Sequence, residues 1–440
     1  MSESPAYPLR VSQRLLITIF LSQSLFSAAQ IAILTLHSIA AGILGGSDAA
    51  AGMPTTVVTF SHSLFAYSMG LIMGRFGRRM GLLTAYGFGL LGALLGLVAV
   101  LNGWFALLLI SSAGMGIARS GSQMSRFVVG EIFPVGRRAQ MIGRVVFAGT
   151  IGAVFGPALV APSSRLAQFL GLEIPFEPAL AQSPLAQIVM PHANTVGELT
   201  TGPWVIASFL LFISTLITWL LLRPEPALIA RQYSEAPSPS AKAGGGDRLR
   251  DLLRLPNVQL AILSMVICQT VMSTLMTITP WHMHLADHEN AQVSLVIGVH
   301  VFGMFGLSPL TGYLIDRYGR VSMMVIAALI MIASTIIAPL STQMPYLLAG
   351  LFLLGLGWNF GYVAGSSMLA DALSGANRTR VAGFNDTLVA FCAGLGTLSS
   401  GFLFGLGGFL FVSLGGGALA LALLGLIRRL TLRQLALQPS

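Results

Sequence analysis

Two stretches of the chain repeat each other. Residues 70–81 read GLIMGRFGRRMG, and residues 312–323 read GYLIDRYGRVSM, 242 positions further on. In both, glycines and arginines lie between two apolar runs, which is typical of a tight basic turn between two helix ends. A shorter echo, GMG from Gly114 and GLG from Gly355, has nearly the same offset. The pattern predicts an internal duplication of the chain.

The composition places these repeats in a membrane. Of 440 residues, 55% are hydrophobic and only 9% are charged, and the mean hydropathy is +0.80. A soluble domain carries about 25% charged residues, so this chain has too few charges to cover a water-facing surface. We therefore exclude a soluble enzyme, a disordered chain and a fibre, and we predict an all-α membrane protein.

Apolar runs and their breakers predict twelve transmembrane helices in two pseudo-symmetric six-helix bundles. The predicted spans are 14–44, 53–74, 80–101, 103–132, 138–170, 200–222, 256–284, 290–317, 321–342, 344–373, 378–405 and 407–430. The polar stretch EAPSPSAKAGGG, residues 235–246, is typical of a flexible linker. We expect an N-terminal bundle over 1–222, a cytoplasmic linker over 223–255 and a C-terminal bundle over 256–440.

The basic residues predict the orientation. With the N-terminus in the cytoplasm, the inner loops and tails hold nearly all of the basic residues, whereas the outer loops hold only Arg165. This asymmetry predicts a plasma-membrane protein with both termini cytoplasmic. The net charge of +9 therefore marks inner loops in contact with lipid and no nucleic-acid partner. For the outer segment over 162–202 we favour a covering loop over a lid.

The repeated loop resembles that of the major facilitator superfamily, Gly-x-x-x-Asp-Arg-x-Gly-Arg-Arg/Lys between spans 2 and 3 and a looser copy between spans 8 and 9. The matching residues are Gly70, Arg75, Gly77, Arg78 and Arg79 in the first copy and Gly312, Asp316, Arg317, Gly319 and Arg320 in the second. Gly74 stands where the family has an acid in the first copy. The resemblance implies a secondary transporter that works by alternating access, with these loops as its conformational switch. We expect Glu131 and Asp371, at the inner ends of spans 4 and 10, to pair with the loop arginines.

Span 5 carries a second resemblance. Its sequence GTIGAVFGP is similar to the glycine-rich motif of drug/proton antiporters. The residues concerned are Gly149, Gly152, Gly156 and Pro157. Val160 and Ala161 stand where that motif closes on glycines. We favour proton-linked export over the alternative, which is plain helix packing through small residues.

Polar residues at membrane depth are the candidate substrate ligands. Arg119 lies near the middle of span 4, where an arginine is costly and usually functional; a purely structural arginine is the alternative. Arg126 is seven residues on and shares its helical face. The neutral candidates for the cavity are Gln30, Gln269, Asn359 and Asn385, with Phe26, Trp281, Trp358 and Phe360 as possible walls.

Proton coupling needs a group that titrates. Asp386 is the deepest acid; paired with Arg144 it would be structural, and unpaired it would be a proton site. Histidines of the outer span halves offer a second route, above all His37, His62 and His300. His284 and His288 have a spacing that a metal could use, but we interpret them as interfacial and expect neither a metal nor a cofactor.

The predicted function is secondary transport of a small molecule, as a monomer, by proton-linked efflux. No Gly-x-x-x-x-Gly-Lys-Ser/Thr phosphate loop occurs in the sequence. Three alternatives stay open: uptake or exchange of an anionic metabolite bound at Arg119, a non-transporting sensor on the same fold, and a membrane metalloenzyme using the outer histidines. The duplicated loop argues against an enzyme.

Overall fold

The computed structural model describes residues 9–45, 48–172, 198–233, 248–288 and 290–436. Within these ranges every regular element is helical. The helices are α1 (Leu9–Gly45), α2 (Asp48–Phe76), α3 (Arg78–Asn102), α4 (Phe105–Gln123), α5 (Ser125–Glu131), α6 (Arg138–Ala158), α7 (Val160–Phe169), α8 (Glu198–Leu221), α9 (Pro226–Tyr233), α10 (Leu249–Leu252), α11 (Pro256–Leu285), α12 (Asn290–Val301), α13 (Ser308–Tyr318), α14 (Arg320–Ile337), α15 (Met344–Ala372) and α16 (Gly375–Ala436). A 3-10 turn precedes α6, and a π-helical turn joins α12 to α13.

In the described ranges, ten helices are long and apolar enough to cross a membrane. The pair Leu295–Gly306 and Ser308–Tyr318, bent by 42°, adds an eleventh crossing. Helix α16 is 62 residues long, and its backbone leaves the helical conformation at Gly407 and Gly408. Because this break divides α16 into two crossings, the described helices account for the twelve predicted spans, and the predicted all-α membrane fold is confirmed.

Three predicted spans are interrupted. Span 4 divides into α4 and α5 at Met124, and span 5 divides into α6 and α7 at Leu159. The second break follows Pro157, which lacks the amide N–H that would continue the helical hydrogen bonds. Span 8 contains the π-helical turn Phe302–Gly306. Periodicity alone did not locate these irregularities.

The chain divides into two compact units, which are described separately. Unit A contains Met1–Leu16, Arg126–Thr150 and Pro224–Ser440. Its central element is α15, which packs against α11, α12, α13 and α14 and is buried almost continuously from Gly357 to Ala370. Unit A thus combines a segment of the first sequence repeat with the whole of the second.

Unit B contains Ile17–Ser125 and Ile151–Arg223. In it α4 packs against α2 and α3, and α8 packs against α3 and α7. The helices α3 and α4 approach closely where Gly92 and Gly114 meet, because a Cβ added at Gly114 would lie 3.0 Å from the Gly92 Cα. The GMG echo therefore marks a close helix crossing.

The glycines at the centre of the two repeated loops have the same backbone conformation. Gly77 has φ 95° and ψ 162°, and Gly319 has φ 91° and ψ 153°. L-residues rarely adopt such positive φ values, whereas glycine does so readily. Each glycine turns the chain directly from one helix into the next, so the duplication seen in the sequence extends to the backbone.

Candidate functional site: a buried ion-pair centre

An arginine and an aspartate form an ion pair in the interior of unit A. Arg126 on α5 is 2% exposed, and its Nη2 donates to Oδ1 of Asp386 on α16, which is also 2% exposed. Arg126 Nε donates to Ser366 Oγ on α15 at 3.0 Å, and Asn385 Nδ2 donates to the same Asp386 oxygen at 2.9 Å. The second carboxylate oxygen, Oδ2, is buried without a hydrogen-bond partner among the described residues.

Aromatic rings surround the guanidinium group of this pair. The Arg126 Cζ lies 4.3 Å from the ring centroid of Phe127 and 4.5 Å from that of Tyr362. Tyr362 is in turn stacked on Trp358, with centroids 4.6 Å apart. The Trp358 indole donates to Gln269 Oε1 at 2.7 Å. A continuous line of contacts therefore joins Gln269, a predicted substrate ligand, to the buried ion pair.

Asp316 of the second loop binds the N-terminus of α6. Its Oδ1 accepts from the backbone amide of Ala139 at 3.2 Å, and its Oδ2 accepts from that of Gln140 at 2.8 Å. A carboxylate at this position satisfies amides that lack helical partners and meets the positive end of the helix dipole. Arg320 lies 2.9 Å from Asp316. The intact second loop thus holds a helix of the first repeat.

Two further ion pairs in unit A each join a residue of one repeat to a residue of the other, and we call them the exchanged ion pairs. Arg138 Nη1 donates to Asp371 Oδ1 at 2.8 Å, and Arg378 Nη1 donates to Glu131 Oε2 at 3.2 Å. In each repeat the acid precedes the arginine by seven residues, so each arginine binds the acid of the other repeat. Arg320 joins the first pair through Asp371 Oδ2, at 3.0 Å. Asp371 therefore pairs with the loop residue Arg320, and Glu131 pairs with Arg378 of the second repeat.

The charged cluster depends on a close crossing of α6 and α13. A Cβ on Gly312 would lie 2.8 Å from the Gln140 Cα, and a Cβ on Gly143 would lie 3.0 Å from the Ser308 carbonyl carbon. Both positions therefore require glycine. Gly312 is the first residue of the second loop motif and lies inside α13, within the predicted span 290–317, where it permits close contact with α6.

Asn359, which we expected in a substrate cavity, lies at a contact between helices in the structure. It is fully buried, and its Nδ2 donates to the Met304 carbonyl at 2.5 Å and to Ser308 Oγ at 2.6 Å. Its Oδ1 accepts from Thr311 Oγ1 at 2.5 Å. Both donors of the amide and one lone pair of its oxygen are thus engaged in holding the π-helical turn against the start of α13.

We expect Asn359→Leu to lower the melting temperature of the purified protein substantially. The substitution leaves the buried Met304 carbonyl and two hydroxyls without their amide partner, and each unsatisfied buried group costs about 1–3 kcal/mol. Asn102→Leu is the matched control, because Asn102 is exposed and bonds to the Val98 carbonyl of its own helix. Equal shifts for the two variants would contradict the structural role of Asn359.

Asp386 does not pair with Arg144, which was the pairing that the sequence suggested. Arg144 is exposed on α6, and Arg126 takes its place as the partner. Asn385, another predicted ligand, is fully buried beside Asp386, with Nδ2 3.7 Å from Met265 Sδ. The sequence feature that came closest to identifying Arg126 as the partner of Asp386 was the helical face that Arg126 shares with Arg119.

The predicted proton-coupling histidines lie in both units. In unit B, His37 Nε2 lies 3.0 Å from Ser112 Oγ and its ring meets the edge of Trp204, while His62 is buried beside α4. In unit A, His300 Nδ1 lies 2.9 Å from the Leu351 carbonyl oxygen, and its buried Nε2 has no hydrogen-bond partner in the described part of the chain. Each therefore has a specific setting inside a helix bundle.

The remaining predicted residues have simpler settings. Arg119 and Gln30 are partly buried in unit B. Arg75 is exposed beside the Phe76 ring, Arg78 is buried and bonds to the Met73 carbonyl at 3.4 Å, and Arg79 bonds to the Trp219 carbonyl at 2.6 Å. Gly74 supplies no carboxylate in this first loop.

The glycines of span 5 lie at helix contacts. A Cβ on Gly152 would lie 3.0 Å from the Ala28 amide nitrogen of α1, and one on Gly156 would lie 2.7 Å from the Ile31 Cβ. Gly149 lies against the ring of Phe305 in unit A, where an added Cβ would come within 2.9 Å. The small residues therefore let α6 approach α1 closely within unit B.

The outer histidines provide no metal site in the part of the chain that the structure describes. No group of three or more metal-ligating side chains occurs there. His288 instead lies 2.7 Å from the Thr342 carbonyl oxygen and 3.1 Å from Gln292. Of the other predicted members, Glu289 and the side chain of His284 lie outside the described residues, as does most of the outer segment 162–202.

Comparisons with known proteins agree with this architecture. The model of the Major Facilitator Superfamily matches residues 15–289 and 261–435. Since these ranges cover nearly all of the chain, the protein belongs to this family of membrane transporters.

The chain is similar to individual transporters of the family over nearly its whole length. The uncharacterized MFS-type transporter YddS of Bacillus subtilis is 28% identical over 428 residues, which cover 97% of this chain and 92% of that protein. The riboflavin transporter RfnT of Brucella anthropi is 25% identical over 386 residues, 86% of each chain. The crystal structure of the fucose:proton symporter FucP of E. coli has a TM-score of 0.70 at 16% identity, and the match covers 97% of this chain and 99% of FucP. This likeness to FucP shows that the two proteins share a fold.

Proposed function

We propose that this protein is a proton-linked exporter of a small organic molecule in the plasma membrane, with Asp386 as its proton site. The observation that carries the proposal is the buried Asp386. Its Oδ1 is paired with Arg126, whereas we expected a proton site to be unpaired, but its Oδ2 is buried without a hydrogen-bond partner among the described residues and is where a proton would bind. The pair joins a helix of the first repeat to a helix of the second. Loss of one charge from a buried ion pair leaves the other charge without compensation, which costs about 3–5 kcal/mol.

Protonation of Asp386 would weaken this junction. The neutral acid loses most of its electrostatic attraction to Arg126, whereas the guanidinium group keeps its contacts with Ser366 Oγ and with the rings of Phe127 and Tyr362. Alternating access requires the two repeats to separate at one end of the molecule. Proton binding at Asp386 therefore favours separation of α5 from α16, and deprotonation favours their contact.

Asp316 and the two exchanged ion pairs are the proposed conformational switch. They hold α6 and the end of α5 against α13, α15 and α16 through charged groups that are mostly buried. Under the positive-inside rule this end is cytoplasmic, with both termini on the same side. The switch then closes the cytoplasmic end of a monomer built from two six-helix bundles, and its release opens that end.

Export is the proposed direction. The support is the glycine contact of α6 with α1, at Gly152 and Gly156, in the stretch that resembles the motif of drug/proton antiporters. Gln30 and Gln269 are proposed substrate ligands. The name of the relative RfnT adds riboflavin to the compounds worth testing.

The proposal is tested with purified protein in liposomes that carry an imposed pH gradient. Lumenal pH is recorded while riboflavin, lipophilic cations, neutral drugs and organic anions are added one by one. We expect at least one non-anionic compound to trigger proton movement in wild-type liposomes. The same compound should trigger none in liposomes that carry Asp386→Asn. Substrate flux without proton movement would contradict proton coupling while leaving the transporter class intact.

A second candidate is transport of an anionic metabolite bound by Arg119. It is favoured by the partial burial of this arginine within an apolar helix. If Arg119 binds the anion, Arg119→Gln should raise the apparent Km for anionic compounds by about tenfold or more, since a hydrogen bond to a charged group contributes about 1.5–3 kcal/mol. Arg165→Gln, at an exposed position of α7, is the control. Wild-type kinetics in Arg119→Gln would remove this candidate.

A further inference from the structure

A groove in unit A lies between the start of α11 and the two ends of α16. Its volume is about 390 Å³, within the range of about 300–1,000 Å³ that is usual for small-molecule sites. Its wall is almost entirely apolar, and Gln259 and Arg429 are its polar members. The lining residues are Leu253, Gln259, Ile262, Leu263, Phe384, Leu426, Arg429 and Leu430.

The chain around this groove is strongly basic. Arg429 is exposed where it lines the groove, and Arg428 beside it in sequence is exposed as well. On the other wall, Leu253 is followed by the exposed Arg254, and α10 contributes two more exposed arginines, Arg248 and Arg250. The acid in these segments is Asp251, whose weak exposed pair with Arg254 has a distance of 3.9 Å. Among the described residues 248–254 and 428–430, five arginines are therefore present with one acidic side chain.

The position of the groove argues for a lipid as its occupant. The groove is lined by Gln259, near the beginning of α11, and by Arg429, near the end of α16. It therefore lies at the ends of two membrane-spanning helices. Basic pockets at such a position bind anionic headgroups, because each arginine near the surface contributes about 1 kcal/mol. Apart from Gln259 and Arg429 the lining residues are apolar, as an acyl chain requires.

We propose that this groove is a binding site for one anionic phospholipid. The phosphate group binds Arg429, with Arg428 and Arg254 at the rim, and an acyl chain lies along Leu263, Phe384 and Leu426. A guanidinium group suits this role because it donates two parallel hydrogen bonds to phosphate oxygens. Gln259 offers a further donor to the headgroup. The site is separate from the buried ion pair and from the switch.

The test uses the full-length protein in detergent and native mass spectrometry. Phosphatidylglycerol and phosphatidylcholine with identical acyl chains are titrated separately onto the delipidated protein. Two variants probe the two parts of the site: Arg429→Ala removes the phosphate ligand, and Leu263→Trp fills the groove while leaving every charge in place. Arg10→Ala is the control, because it removes an exposed arginine at the start of α1 that does not line the groove. Melting temperatures establish that each variant folds.

We expect one phosphatidylglycerol per protein to bind more tightly than phosphatidylcholine. Arg429→Ala should weaken that binding by about fivefold, Leu263→Trp should abolish it, and Arg10→Ala should leave it unchanged. Equal binding of the two lipids, or an equal loss in Arg10→Ala, would overturn the proposal. Displacement of the lipid by inorganic phosphate alone would also overturn it, because the site would then be a phosphate site with no role for the acyl chain.

Discussion

Asp386→Asn is expected to abolish proton-driven transport while leaving exchange of substrate across the membrane measurable. Asparagine has nearly the same shape and keeps an oxygen that can accept from Arg126, but it cannot bind and release a proton. Without titration at this position, a pH gradient no longer changes the strength of the contact between α5 and α16. Accumulation driven by the gradient should fall to background, whereas counterflow of labelled against unlabelled substrate should continue.

The matched control for this experiment is Asp251→Asn. Asp251 is in the same unit and carries the same charge, but it is exposed on α10 and has only a weak pair with Arg254. Its replacement should leave gradient-driven transport unchanged. Full proton-driven accumulation in Asp386→Asn would place the proton site elsewhere, and His300, with its buried Nε2, would be the next residue to change.

Gly312→Ala is expected to release the switch. The added Cβ would lie 2.8 Å from the Gln140 Cα and would press on the backbone of Ala139. Overpacking of this kind costs about 1–3 kcal/mol, and it does so only while α6 and α13 are in contact. The equilibrium between the closed and the open end should therefore shift toward the open end by about five- to 150-fold.

The shift is measured by the labelling rate of a cysteine introduced at Ala139, which is fully buried at this crossing. The background carries Cys268→Ala and Cys392→Ala, so that the reporter is the single thiol. Gly298→Ala is the control, because it adds the same methyl group to the preceding helix α12 at a position with open space around it. A labelling rate in Gly312→Ala no faster than in Gly298→Ala would show that this crossing does not control the opening of the switch.

Much of the fold could be predicted from the sequence because lipid imposes a simple rule. Apolar runs of sufficient length must be helices there, and Gly77 and Gly319 marked the same turn in each repeat. The ends and breaks of helices were harder, as at Met124 and Leu159. These ends and breaks depend on local hydrogen bonds and on prolines. The mean hydropathy of an apolar run does not detect either of them.

The candidate site was only partly predictable. Asp386 was identified because a deep acid is rare, but its partner is 260 positions away along the chain, and depth alone favoured Arg144 over Arg126. Asparagine is a residue type that often binds ligands, but Asn359 holds the π-helical turn against α13. Only its three hydrogen-bond partners reveal this role. The spacing shared by Glu131 with Arg138 and by Asp371 with Arg378 was present in the sequence, and comparing the two repeats residue by residue would have found it.

The exchange of ion pairs between the repeats has a consequence for how this sequence can evolve. Because Arg378 pairs with Glu131 and Arg138 pairs with Asp371, a charge lost at one position removes an ion-pair partner from a residue in the other half of the gene. A buried charge that loses its partner costs about 3–5 kcal/mol. Among relatives, positions 131 and 378 should therefore change together, as should 138 and 371, whereas position 74, which has already lost its acid, should vary independently. A chimera that joins the first half of one relative to the second half of another should therefore be destabilised wherever these paired positions differ, because each half carries the counter-charges of the other.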